Sequence, residues 1–508
     1  MDDKHRTYVG IDFGTCNIKA VYKKENKQYK TIGLSKSTGA ILPNVLFYKS
    51  DKEHILGRTA IKENSIENTI WYIKQRLQEK NWEQHIPNLA RTVTAQEATR
   101  DIFLELKEEL ARTLKYYDYK VAITVPVAFT EKQKERISQA AEDAGFVVSA
   151  VISESFAAAF DQEDFIPTDA TTNTILICDV GGATIDITLV KATGGKVEEK
   201  ASTGLVFGGN DITEGIFTKI FQSKYPVLQE ELSKIDRHEV ISTIGMMKEG
   251  LYNDDDEEVD DTINLKHSST TLLDVELSRT EITKLLDELE LKAKLHRLLD
   301  KMFASLPDMD LEEVDKVLLI GGSSKISYFK EALEDYFPKE LVEELNDDDE
   351  HLAIVARGAA KYLEVRDTAN ITIINRIPFA IGYRKDNRVR RVLDRNRAWG
   401  DKTSGTFDLD TAELVRNKGE LAIYQHLADT VEASLEKDKK QAIFMESLKL
   451  DLAKYKPGEK IYIGMHLDTT GALVVELKQF APAADEFQDD EFKVIESFRI
   501  KMGSYNQS

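Results

Sequence analysis

Apolar residues come in short bursts along the first half of the chain, and stretches of helical spacing separate most of them. Residues 8–12 and 18–22 are two β-rich runs joined by Phe13-Gly14-Thr15-Cys16-Asn17, which predicts a hairpin with a glycine-bearing turn. Around 94–116 the positions Ile102, Leu104, Leu106, Leu110 and Leu114 roughly follow helical spacing, and Thr94 with Glu97 makes a capping box at the start. KVAITVPVAF (120–129) reads as a strand interrupted by Pro126. Thr130 and Gln133 then open a second helix that Gly145 can close. FVVSAVISES (146–155) predicts another buried strand. Strand and helix alternating this densely predict an α/β fold with covered sheets.

One plan occurs twice. YVGIDFGTCNIKAVYKK (8–24) and ILICDVGGATIDITLVKA (175–192) each run as an apolar strand ending in Asp, a glycine-bearing turn and a second strand. Their aspartates, Asp12 and Asp179, lie a domain-sized 167 residues apart. Two such hairpins facing each other would make a two-lobed phosphate clamp. Near residue 365 the character changes: RDTANITIINRIPFAIGYR (366–384) has no helical period and leads into a strand-rich segment. There IYIGMHLD (461–468) alternates, Thr469-Thr470-Gly471 supplies a turn, and ALVVELKQF returns as the partner strand.

Composition narrows the class. A chain of 508 residues has room for two to four domains at ~150 residues each. Against 68 Lys and Arg stand 89 Asp and Glu, a net charge of −21 that disfavours general nucleic-acid binding. No run of about 18 apolar residues exists and the N-terminus is polar, so neither a membrane span nor a secretory signal is expected. Cys16 and Cys178 are the only cysteines, which excludes a disulfide framework and fits a reducing, cytoplasmic compartment.

The candidate chemistry sits in three glycine turns. Asp12-Phe13-Gly14-Thr15 alone reads equally well as an ordinary hairpin turn, although glycine lets backbone N–H groups approach phosphate and Asp can hold hydrated Mg²⁺. The turn from Asp179 to Asp186 places two adjacent glycines between aspartates at the end of an apolar strand, an entropic cost that structure alone does not require. The third, VDKVLLIGGSSKI (314–326), runs a buried-type strand into Gly321-Gly322-Ser323 before a helix over 327–337, which suits nucleoside contact by exposed backbone.

With three such turns in this order, the chain resembles the seventy-kilodalton heat-shock (DnaK-like) chaperones of the actin-like ATPase superfamily, closely over about 7–364 and more loosely over 365–480. The resemblance implies a two-lobed actin-like (ribonuclease H-like) α/β nucleotide-binding domain over 1–366 and an interdomain linker over 367–377. A β-sandwich substrate domain over 378–480 and an acidic C-terminal tail over 481–508 would follow. It implies ATP or ADP with Mg²⁺, an extended polypeptide client, and a J-domain protein or exchange factor as partner. Asp12, Gly14, Thr15, Cys16 and Asn17 would form the first phosphate hairpin, and Asp179, Gly181, Gly182, Ala183, Thr184 and Asp186 the second. Gly208, Gly209, Lys248, Gly321, Gly322, Ser323 and Lys325 would complete the nucleotide contacts. NTIWYIKQRL (68–77) resembles the segment of the catalytic lysine and ISESFAAAF (152–160) that of the catalytic glutamate, which gives Lys74 and Glu154 those roles. TVPVAFTEKQK (124–134) resembles the proline switch, with Pro126 at the switch, and ITIINRIPFAIG (371–382) aligns on the linker and first sandwich strand. In these roles Asp12 and Asp179 hold the water shell of Mg²⁺, while Asp186 and Glu154 orient the attacking water. Lys74 neutralises the γ-phosphoryl, and Thr15 and Thr184 contribute hydroxyls. Without the resemblance, Lys74 reads as a solvent-facing helix lysine.

Several positions depart from the family pattern. Cys16 replaces a threonine and Ala183 a glycine, Gly245 and Glu249 stand for the Glu and Arg around the base, Tyr252 for a Ser, and Lys325 for an Arg. Glutamate cannot stack on adenine as arginine does. The acidic residue before the Gly-Ala-Ala run at 358–360 is out of register, and the acidic run NDDDEEVDD (253–261) is read as a solvated loop. In YRKDNRVRRVLDRNR (383–397) seven basic residues face two acidic ones, a charge reversal that suits an acidic peptide or the chain's own acidic tail as well as a solvated strand pair. Asn375 and Thr372 dilute the linker, and with 28 residues after Phe480 no helical lid is expected. The expectation is a cytoplasmic, lidless DnaK-like chaperone that hydrolyses ATP slowly. The alternative is a nucleotide-binding scaffold or co-chaperone without hydrolysis, favoured by Cys16, Ala183, Glu249 and the expected lack of a lid and opposed by the retained Asp12, Lys74, Glu154, Asp179 and Asp186.

Overall fold

The computed structural model describes residues 7–501 except 24–27, 34–40, 64, 78, 80, 115–118, 164, 168–170, 230, 254–255, 266–271, 307, 346–352, 378–379, 386–387, 395–405, 410–416, 427–431, 435–441, 456–460, 468–471 and 482–490. The first lobe is built on β1 (Thr7–Phe13), β2 (Asn17–Lys23), β3 (Tyr119–Val125) and β4 (Val148–Ser153) in the order β4-β3-β1-β2, with short strands Lys30–Thr31 and Leu42–Pro43 on β2. β1 runs antiparallel to β2 and parallel to β3. β3 stops at Val125 because Pro126 has no N–H for the ladder.

Helices α1 (Ala95–Thr113) and α2 (Glu131–Asp143) cover this sheet, and each begins at the capping box read from sequence, Thr94 with Glu97 and Thr130 with Gln133. Gly145, at φ 85°, turns the chain out of α2 in the left-handed region that a C′ glycine favours. A third helix, α3 (Glu154–Asp161), leaves the end of β4 with Ser153 as its N-cap.

The second lobe repeats the pattern. β5 (Thr172–Val180), β6 (Ile185–Thr193), β7 (Lys196–Leu205), β8 (Lys316–Ile320), β9 (Val342–Glu344) and β10 (Thr372–Ile374) lie in the order β9-β8-β5-β6-β7-β10. β5 pairs antiparallel with β6 and parallel with β8, as β1 does with β2 and β3. The helices that belong here or cross to it include α4 (Gly209–Gly215), α5 (Lys234–Asn253), α6 (Ser327–Glu334) and α7 (Ile354–Thr368), and Arg279–Glu288 and Leu291–Ala304 pack into the same core. α6 ends three residues before the expected 337.

The lobes share a core at α3 and α7. Ala157, Ala158 and Ala159 of α3 pack with Ala359 and Leu363 of α7 and with residues of both sheets, among them Ala122, Ala150, Ile175 and Val190. The backbones touch: a Cβ on Gly358 would lie 1.9 Å from the Ala157 carbonyl oxygen, and one on Gly10 would lie 1.9 Å from that of Ala356.

After β10, the described strands form two antiparallel sheets around one apolar core. The first holds β11 (Ala380–Lys385), β12 (Arg388–Leu393), β14 (Glu420–His426), β15 (Glu432–Ser434) and β16 (Ala442–Lys449). The second holds β13 (Thr406–Leu409), β17 (Ile461–Leu467), β18 (Ala472–Ala481) and β19 (Glu491–Lys501). Ile381, Tyr383, Leu421 and Ile423 of one sheet meet Ile463, Met465, Val475 and Leu477 of the other, the alternation of a sandwich with one buried face per sheet.

Two segments differ from the sequence reading. The sequence predicts a tail over 481–508, yet Glu491–Lys501 is a strand paired along the whole of β18. Its exposed side chains alternate with Ile495, Phe498 and Ile500, which pack on the core, and the neighbouring acidic residues hide that period. The sequence also predicts a linker over 367–377. α7 instead continues to Thr368, and Thr372, Ile373 and Ile374 add a parallel strand to the edge of the second lobe's sheet at Lys196, Val197 and Glu198. The turn at 469–471 and most of the acidic run 485–492 lie outside the described residues. Among the described residues no helix is long and apolar enough to cross a membrane.

Candidate functional site

The two glycine hairpins face each other between the lobes. In the first, the Asn44 side-chain amide donates to the Gly14 carbonyl at 2.8 Å and the Asn44 backbone N–H to the Cys16 carbonyl at 2.7 Å. In the second, the N–H groups of Gly209 and Asn210 donate to the carbonyls of Gly181 and Gly182 at 3.0 and 2.8 Å, which locks the turn to the start of α4. Gly208 passes so close that a Cβ there would sit 2.5 Å from the Ala183 nitrogen. Across the gap, a Cβ on Gly182 would lie 2.8 Å from Cys16 Sγ and 3.9 Å from Thr15 Cβ.

Acidic side chains gather at the ends of these strands. Strand register sets Asp12 beside Lys19 and Thr124, and Asp179 beside Asp186. Lys19 Nζ lies 3.4 Å from one Asp12 oxygen, and the Thr124 hydroxyl 3.5 Å from the other. Asp186 accepts from the Thr184 hydroxyl at 2.9 Å and from the Val127 backbone N–H at 3.0 Å, one residue after Pro126. Lys74 is 1% exposed, not solvent-facing, and its ammonium pairs with the Glu154 carboxylate. It also lies 5.7 Å from the Phe129 ring centre.

Burial dominates the electrostatics. It raises the Glu154 carboxyl against the opposing pull of Lys74. It holds Asp179 well above the carboxylate range, with the charges of Glu154, Asp186 and Asp12 adding to the effect, and pushes Asp186 up to about 7 with help from Glu154. Four carboxylates, Asp12, Glu154, Asp179 and Asp186, thus meet two ammonium groups, Lys19 and Lys74. Buried negative charge in such surplus calls for a further cation or a proton.

On the second lobe the remaining residues converge behind the hairpin. Lys248 donates to the Gly209 carbonyl at 2.7 Å and to Thr213 Oγ1 at 2.9 Å, and burial lowers its ammonium pKa. A Cβ on Gly209 would come within 2.3 Å of Ser323 Oγ and 3.2 Å of Lys248 Nζ, so these three share one corner. Gly321 has φ 98°, and a Cβ there would strike Asp179 Oδ1 at 2.3 Å, so only glycine joins β8 to the loop at this point. Gly322 is exposed with open space around it. Lys325 lies away from that corner and bonds Asn253 Oδ1, at the C-terminal end of α5, at 2.9 Å. Tyr252 stacks under Arg279, and Gly245 has nothing near its Cβ direction. The sequence reads 253–261 as a loop, but Glu258–Asn264 is a largely exposed strand.

A family model described as Hsp70 protein matches residues 8–479. The chain belongs to the Hsp70 family. Among curated relatives, a protein named chaperone protein HscA homolog from Methylobacillus flagellatus is 25% identical over 77% of this chain and 64% of its own length. A protein of the same name from Neisseria meningitidis serogroup B is 25% identical over 70% of this chain and 58% of its own. The chain therefore spans about three fifths of the length of these relatives.

Within this Hsp70 chain, sequence reading missed Asn44, Thr124 and Asn210. Asn44 and Thr124 carry no local signal, because their partners are 30 and 112 residues away. Asn210 does carry one, since it stands directly after the Gly208-Gly209 pair and shares its turn.

Proposed function

We propose that this chain binds ATP or ADP with Mg²⁺ between its two lobes and hydrolyses ATP slowly to ADP and phosphate. Nucleotide state would then govern how the β-sandwich engages an extended polypeptide. The observation that carries this reading is the buried surplus of carboxylates around Lys74, at the ends of two glycine hairpins that approach each other at Gly182 and Cys16. Among the described residues no three His, Cys, Asp or Glu side chains come close enough to ligate an ion directly, so Asp12 and Asp179 would hold Mg²⁺ through its own water. Bound Mg²⁺ would supply charge neutralisation at the phosphate oxygens.

The chain's own groups supply the rest. Lys74 brings a positive charge fixed by Glu154. Asp186 and Glu154, raised toward neutrality, are suited to accept a hydrogen bond or proton from a water. Gly14, Thr15, Gly181, Gly182 and Thr184 would line the phosphates, and Gly209, Lys248 and Ser323 the nucleoside side. Cys16 and Asn17 complete the first turn, and Ala183, Gly208, Gly321 and Gly322 shape the second lobe's wall. Val127, held by Asp186, would carry the state of the site into the Pro126 segment.

The client would be an extended polypeptide, with an acidic one favoured by Arg384, Lys385, Arg388, Arg390 and Arg391 on the β11–β12 hairpin. A J-domain protein or exchange factor would act as partner. No nucleic-acid or membrane partner is proposed, and the two free thiols suit the cytoplasm.

The test is phosphate release by the purified protein with Mg²⁺ and ATP, beside Lys74→Ala. Slow turnover lost in the variant supports the reading. ATP binding without turnover favours a non-hydrolysing scaffold, the reading to which Glu249 points because its charge reaches Cys16 at the first hairpin. Absence of nucleotide binding overturns both.

A further inference from the structure

Lys19 takes no role in the reading above, yet its ammonium sits among the carboxylates of the site. On β2 the neighbours Ile18 and Ala20 belong to the core of the first lobe, so strand alternation turns Lys19 to the other face. There the register sets it directly across from Asp12, on the same side of the sheet. Its Nζ lies 3.4 Å from Asp12 Oδ2, while the Thr124 hydroxyl lies 3.5 Å from Oδ1. Asp12 is 7% exposed, and among the described residues Lys19 is the cation that pairs with it.

The charge reaches beyond this pair. Burial raises the carboxyls of Glu154 in the first lobe and Asp179 in the second, and the Lys19 charge works against that rise in both. Lys74 is differently placed, fully buried and committed to Glu154. The Lys19 side chain is 19% exposed, so a small ion from solvent could reach the same place if the side chain were shortened. One compact positive charge acting on three carboxylates from two lobes has the arrangement of a bound monovalent ion.

We propose that Lys19 is a tethered monovalent cation, holding the place among Asp12, Glu154 and Asp179 at which the site would otherwise need a free ion such as K⁺ or NH₄⁺. The strand delivers this charge, so it is present whatever salt surrounds the protein. The site is then indifferent to the kind of monovalent salt, and Lys19 acts on bound groups through the three carboxylates, as a positioning residue. This goes beyond the nucleotide reading and is tested on the nucleotide-free chain.

The experiment reads melting temperatures of the full chain, without nucleotide or Mg²⁺, in equal concentrations of potassium, ammonium and tetramethylammonium chloride. The last supplies the same ionic strength with a bulkier cation. Lys19→Ala opens the space, and Lys19→Met fills it without charge. The wild type is expected to melt within about 1 °C in all three salts. Lys19→Ala should melt roughly 2 °C or more higher in K⁺ or NH₄⁺ than in tetramethylammonium, and Lys19→Met should lack that gain. A wild type that gains as much from K⁺ or NH₄⁺ as Lys19→Ala does overturns the proposal. So does a Lys19→Ala chain that gains nothing or folds in none of the salts, and so does an equal gain in Lys19→Met. ADP affinity in the same salts keeps the two readings apart: a chain that shows the rescue but binds no ADP overturns the nucleotide reading alone.

Discussion

The backbone N–H of Val127 donates to Asp186 Oδ1 at 3.0 Å, tying the segment after Pro126 in the first lobe to a buried carboxylate of the second. The opposite oxygen of Asp186 is held by Thr184, so the carboxylate cannot turn without releasing one of the two. A change of charge at Asp186 is therefore felt directly by the backbone beside Pro126. Val127→Pro would remove that donor. The expected outcome is turnover changed by less than about 10-fold with loss of its response to peptide, read by phosphate release with and without a client peptide.

Lys74→Ala leaves Glu154 buried without its cation. Breaking such a pair costs about 3 kcal/mol or more, and loss of a positive charge at a phosphoryl group costs roughly 100-fold in turnover. Urea unfolding and phosphate release read the two effects separately, while ADP affinity should change far less than turnover.

The carboxylates give the protein a pH dependence of defined sign. Burial first and the Glu154 charge second push Asp186 up to about 7, and Asp179 and Glu154 are raised as well. A carboxyl raised in the folded state holds a proton that it releases on unfolding. The Asp186 contribution to stability without nucleotide should therefore fall as pH rises from about 4 to about 7, with Asp179 and Glu154 acting in the same direction. Mg²⁺ needs the ionised carboxylates, so its affinity should rise over the same window. Melting temperatures from about pH 5 to 8, with and without Mg²⁺ and ADP, check both trends.

Arg376 is expected to hold the segment 372–374 on the second lobe. Its guanidinium pairs with Glu198, and its backbone N–H lies 3.4 Å from the Glu199 carboxylate. At Glu198 burial works against ionisation, but hydrogen bonds from Lys196 and Arg376 outweigh it and lower the carboxyl to about 2. That contribution is lost only below about pH 4.5, so docking should be constant from about pH 5 to 8. Arg376→Ala should increase protease cleavage between 367 and 377 several-fold at neutral pH without shifting ADP affinity.

Gly358→Ala tests the shared core. The new methyl would meet the Ala157 backbone carbonyl, which cannot move aside as a side chain can, so a loss of about 2 kcal/mol or more is expected in urea unfolding. Ending the chain at Ala481 tests β19 in the same way. It would strip the partner from β18, and association between copies should appear in light scattering.

Some of this was legible before folding. The capping boxes at Thr94 and Thr130, the turn at Gly145 and the two Asp-ended hairpins are each written within a few consecutive residues, and such signals act locally. Family resemblance supplied Lys74 as a site residue where helical position alone suggested solvent. What it could not supply was burial, because Glu154, the partner that makes burial tolerable, lies 80 residues away.

The sequence by itself determined the alternation of strands and helices, the repeated hairpin and the residue types available to a phosphate site, since period, caps and glycines are local properties. Tertiary structure decided the rest. It chose which carboxylates share one buried space, set the Asn210 amide oxygen beside Cys16, drew Thr372–Ile374 onto a sheet edge and made Glu491–Lys501 a sandwich strand. These outcomes depend on apolar surface and unpaired backbone presented by residues far along the chain, and no local pattern encodes where that surface will be.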